Sequence, residues 1–204
     1  MKSLCSLGVL ALFISACSPA PNQTAQAAAP PAATPAPPPA QKSGPVTPPS
    51  TDAEKIASAK SAGPEAIASA ATVLDVSVDP PKALVKGTNG WTCLPDLPHS
   101  PGADPMCLDK HGFEWVQALL AKKNPPADKV GFAYMLVGGS DASNTDPFAT
   151  KPAAGGHWVE TGPHVMILNI GTRFEGYPTS HDNPKAPFVM FPNTPYAHLM
   201  IPVR

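Results

Sequence analysis

The chain has 204 residues, with 14 basic and 15 acidic side chains and a formal net charge of −1. No basic run or patch is present, which argues against nucleic acid as a partner. Of its 29 prolines, eleven fall between Pro19 and Pro49, and every aromatic residue except Phe13 lies beyond position 90. A disordered lead-in followed by one compact domain is expected.

Lys2 gives a minimal basic start, and residues 4–14 form an apolar core. That core is too short to span a bilayer and has the length of a signal-peptide core. It ends in Ile14-Ser15-Ala16-Cys17, which resembles the lipobox of bacterial lipoproteins. The resemblance implies a signal peptide over residues 1–16, lipidation of Cys17 by chains such as palmitate, and anchoring by lipid. Ser18 after the cysteine implies the outer membrane rather than the inner, with the domain in the periplasm or at the cell surface. The alternative is an ordinary leader cut near Ala16 or Ala20, with Cys17 incidental.

Residues 17–50 read as a disordered tether. From Ser18 to Ser50, 20 of 33 residues are Pro or Ala and Lys42 is the only charge. Too little apolar surface can be buried there to offset the chain entropy. At about 3.1 Å per residue in polyproline II its contour is on the order of 100 Å.

The domain is expected over residues 51–204. Thr51 and Glu54 fit a capping box that opens a short Ala-rich helix, ended by Gly63-Pro64. Pro64 can start a second short helix. Residues 72–76 and 83–86 read as strands separated by Asp79-Pro80-Pro81. Asn89-Gly90 is a turn pair, expected to bring Trp91 and Cys93 back beside residues 83–86. Cys93 and Cys107, the two cysteines beyond Cys17, then close a loop of Pro, Gly and Asp. In an oxidising compartment a disulfide is expected; a metal or redox site is the alternative, with no CxxC spacing to support it.

Asp109 can cap a helix over residues 110–123, with Phe113, Val116, Leu119 and Leu120 on its apolar face and Trp115 beside them. Residues 130–137 are almost wholly apolar, as a central strand covered on both faces would be. Residues 164–170, 188–191 and 196–203 give three more strand signals, the last two joined by Pro192–Pro195 as a hairpin. Pro202 predicts a lost ladder bond or an edge there. The sum is an α+β domain: a mostly antiparallel sheet of about five or six strands, one main amphipathic helix and long disulfide-pinned loops.

No GxSxG, HExxH or phosphate-binding glycine loop is present, which lowers the case for an enzyme. His157, His164 and His198 are the candidate metal-ligating set, for zinc or copper, if the strands carrying His164 and His198 are neighbours. The competing reading is that each imidazole bonds a backbone carbonyl and holds structure. A third is acid–base work with Asp146, Glu160 or Asp182.

The strings GTNGWTCLPD, DPMCLD, SNTDPFAT and TPYAHLMIPV resemble a family of exported bacterial proteins of unassigned function. The likeness runs from about Ser58 to the end of the chain. It implies that the loop around residues 91–109 and the final hairpin are parts of one shared domain, and it implies no activity or ligand. Two functions are therefore expected in competition. One is a non-enzymatic envelope lipoprotein that needs no cofactor and binds an envelope partner through its loops. The other is a small metal-binding protein, or metal-dependent enzyme, built on the histidines.

Overall fold

The computed structural model describes residues 47–171, 173–183 and 185–203. The expected leader, Cys17 and the expected tether up to residue 46 lie outside the described residues. The first element is the capped helix α1, Asp52–Ser61. The Thr51 hydroxyl accepts from Glu54 N, and the Glu54 carboxylate accepts from Thr51 N at 2.9 Å. Short α2 (Glu65–Ala68) follows behind Pro64, which stands at its N-cap.

Strands β1 (Thr72–Asp75), β2 (Lys82–Val85), β3 (Thr92–Leu94) and β4 (Met106–Leu108) come next, then α3 (Lys110–Leu120). After α3 the chain forms β5 (Gly131–Met135), β6 (Gly139–Asp141), β7 (Val159–Thr161), β8 (His164–Leu168), β9 (Phe188–Met190) and β10 (His198–Pro202). Eight of these make one mixed sheet in the order β2-β1-β3-β4-β5-β8-β10-β9, and β6 and β7 form a separate ribbon. The fold is α+β as expected, but the sheet is larger than five or six strands. It also contains one parallel pair, β1 with β3.

That parallel pair corrects the expected return of Trp91 beside residues 83–86. Strand β2 lies on one side of β1 and β3 on the other. The connection passes over the start of β1, where Gly87 N donates to Thr72 Oγ1 and Thr88 N donates to Ala70 O. A Cβ on Gly87 would fall 2.1 Å from Thr72 N, so only glycine permits the crossing. Asn89-Gly90 does turn the chain, with Gly90 at φ +79°, but it feeds this crossover rather than a hairpin.

Paired residues share a face, so the register assigns the core. One face carries Leu108, Ala133, Met166, Met200 and Phe188 in a row across five strands. Helix α3 packs on this face through Trp115 and Val116. Leu120 is 57 % exposed. The helix ends three residues before the expected limit because Lys122 turns left-handed at φ +53°. Lys122 N and Lys123 N then cap the Leu119 and Ala118 carbonyls.

The opposite face is covered by α1 over one half and by Phe174 over the other. There Cys93 and Cys107 stand directly opposite one another on β3 and β4 and form the disulfide, with Cα atoms 4.0 Å apart. Both are fully buried among Ala59, Ala62 and Val73. Small residues let α1 approach this closely: a Cβ on Gly63 would lie 3.1 Å from Cys107 Sγ. The central strand β5 is less enclosed than expected. Phe132 is 43 % exposed on its outer face, because neither α1 nor the Phe174 segment covers that point.

Candidate functional site

Between α3 and the Met-bearing face of the sheet lies a recess of about 250 Å³. The strand register decides what lines it. His164 on β8 faces Met135 on β5, and His198 on β10 faces Met190 on β9. Met166 and Met200 face each other between them. Met106 completes the lining, so all five methionines beyond Met1 surround one space. Trp115 and Trp158 close it from the helix and ribbon sides. A thioether is soft, polarisable and weakly solvated, so this lining is apolar without being chemically inert.

Both recess histidines are 2 % exposed and oriented by the backbone. His164 Nδ1 lies 2.7 Å from Gly162 O, and His198 Nδ1 lies 2.9 Å from Tyr196 O. A carbonyl only accepts, so Nδ1 carries the proton in each ring and Nε2 keeps the lone pair. Burial lowers both pKa values to about 4, against the smaller upward pull of those hydrogen bonds. Both rings are therefore neutral at physiological pH. His164 Nε2 and Trp115 Nε1 are buried with no hydrogen-bond partner among the described residues. Each such orphan costs about 1–3 kcal/mol unless something fills its valence.

The recess lining also includes acidic groups. Asp104 Oδ1 accepts from Ser140 N at 2.5 Å, and its Oδ2 accepts from Ser100 Oγ. Asp104 N in turn donates to Asp96 Oδ1 at 2.8 Å. Burial raises the Asp104 pKa to about 6 despite the two serine bonds. Burial, reinforced by the Asp104 carboxylate, raises Asp141 to about 7. Asp104 sits in the disulfide loop and Asp141 ends β6, a pairing that no sequence spacing announces.

The three candidate histidines do not share one site. His157 is exposed and its ring centre lies 6.1 Å from that of His181, in a separate depression of about 660 Å³. Among the described residues no group of three or more His, Cys, Asp or Glu side chains is placed to hold a metal. The carbonyl-bonded reading holds for both buried histidines through Nδ1, and it leaves Nε2 uncommitted. Of the acid–base candidates, Asp146 accepts from Phe148 N in a local turn and Asp182 accepts from Ser180 Oγ. Glu160 borders the His157 depression. None of the three lines the recess. The disulfide is buried and paired across two strands, so the cysteines offer no thiolate to a metal.

Among the described residues no helix is long and apolar enough to cross a membrane. No protein-family model, curated protein or solved structure matches the chain.

Proposed function

We propose that this protein is a non-enzymatic binding module, and that the recess between α3 and the sheet, rather than the long loops, takes its ligand. The observation that carries the reading is the pair of buried orphans, His164 Nε2 and Trp115 Nε1, on the wall of one apolar space. A small ligand that fills the space and meets an acceptor and a donor recovers a desolvation cost that the fold alone leaves standing. The absence of a nucleophile motif and the neutral, carbonyl-oriented imidazoles support binding over turnover. We place the module in the bacterial envelope, tethered through a lipid on Cys17; a Cys17→Ala variant that still partitions with membranes would count against that placement.

Native mass spectrometry of the full-length protein, equilibrated with a low-mass periplasmic extract, tests the binding site. The parent should carry a bound mass that Leu119→Trp, a plug at the half-buried rim, excludes. A parent that retains nothing, or a plugged variant that binds as well, contradicts the reading.

A further inference from the structure

The two central strands of the recess carry the same short pattern. On β8 it is His164-Val165-Met166, and on β10 it is His198-Leu199-Met200. In a strand, residues two apart share a face, so each histidine has a methionine about 7 Å along its own strand. Each also has a methionine directly across the ladder, about 5 Å away between Cβ atoms. Two clusters of one imidazole and two thioethers result: His164 with Met135 and Met166, and His198 with Met190 and Met200.

The clusters are not equivalent. The His198 ring is enclosed by aromatic edges, with Trp115 at 5.3 Å and Phe191 at 5.5 Å between ring centres. His164 Nε2 has no partner, although the residue is 2 % exposed. We propose that His164 Nε2 and the sulfurs of Met135 and Met166 form a site for one copper(I) ion. The inference rests on the reading of the recess as a binding site and names what fills its His164 corner; the Trp115 Nε1 donor faces the rest of the space.

The donor set selects the ion. Zinc takes three or four ligands from Cys, His, Asp and Glu, and no such group converges among the described residues. Thioethers do not hold hard cations, whereas copper(I) is soft and accepts imidazole and thioether together. The burial helps: a neutral imidazole with its proton fixed on Nδ1 presents a lone pair without first losing a proton. A monovalent cation in an apolar recess needs a counter-charge, and Asp104 and Asp141 line the same recess.

Anaerobic titration of the full-length protein with copper(I), against the chromophoric chelator bicinchoninate, tests the site. One equivalent should be withdrawn from the chelator, and X-ray absorption should show one nitrogen and two sulfur scatterers. Met135→Leu and Met166→Leu conserve volume and should each weaken binding by about tenfold or more. His157→Gln, in the separate exposed depression, should leave it unchanged. No withdrawal of copper, equal binding by the Met135 and Met166 variants, or zinc held as tightly overturns the copper assignment. If copper fails while the periplasmic extract still yields a recess-bound mass, the ligand class falls and the binding module stands. If neither binds, both fall.

Discussion

Gly112 in the first turn of α3 and Gly131 at the start of β5 meet backbone to backbone: a Cβ on Gly131 would lie 2.4 Å from Gly112 N. The contact fixes the roof of the recess to its floor. Asp109 locks it, since one carboxylate oxygen accepts from Gly112 N at 2.7 Å and from Phe132 N at 3.1 Å. Gly131→Ala is therefore expected to lower the stability by about 1–3 kcal/mol. Gly162→Ala, where nothing lies within 4 Å, is the control and should be near neutral. Urea midpoints of the two variants check this, and equal midpoints would remove the close-approach argument.

Asp75 is 2 % exposed and accepts from Lys55 Nζ at 2.6 Å and from Ser77 N and Oγ. Burial disfavours its charge, but these bonds prevail and hold its carboxyl below the ordinary value of 3.8. Lys55→Ala should cost about 1–3 kcal/mol at neutral pH by stranding the buried carboxylate. A carboxyl whose folded pKa is depressed stabilises above its unfolded pKa and loses that contribution as pH falls through the folded value. The gap between parent and Lys55→Ala in denaturation midpoints should thus shrink as the pH falls below the ordinary value of 3.8 and through the lower folded one. A gap that stays constant on acidification would show that the ion pair is not its source.

Asp141 has the opposite sign. Its folded pKa stands near 7, so the folded state holds a proton that the unfolded chain has released. That contribution is complete at low pH and is lost as pH rises from the ordinary carboxylate range towards 7. Asp141→Asn cannot ionise. Relative to the parent, it should gain stability between about pH 4.5 and pH 8. Midpoints at the two ends decide it; a pH-independent difference would mean that Asp141 ionises freely in the folded protein.

The disulfide joins directly opposed residues of β3 and β4, both fully buried beneath α1. Reductant without denaturant should leave it intact, and the double change Cys93→Ala with Cys107→Ala should cost about 2–4 kcal/mol. Alkylation and mass measurement in native buffer report the first result. Rapid labelling of both thiols there would contradict the burial.

The parts of the fold that could be read in the sequence are those set by local chemistry. The Thr51–Glu54 box, the Asp109 cap and the pairing of Cys93 with Cys107 each follow from side chains a few positions apart or from being the two cysteines within residues 51–204. The β1–β3 parallel pair did not follow, because Asn89-Gly90 signals reversal and nothing local says that Gly87 carries the chain over β1. Strands of three residues such as β4, β6 and β7 are too short to show a period of two. The recess was hidden for a different reason. Methionines inside apolar runs look like ordinary core filling, and only the register reveals that His164, Met135 and Met166 share a corner. The histidines could be singled out by composition, but their exposure could not, and exposure separates His157 from the other two.

If the ligand binds in the recess, the five methionine methyl groups that line it report its arrival. A carbon–proton correlation spectrum of full-length protein labelled at the methionine methyls, recorded with and without the periplasmic extract, decides the question. The Met135, Met166 and Met190 resonances should shift on binding, and Leu119→Trp should abolish the shifts. Binding detected by mass with all five resonances unmoved would place the ligand outside the recess.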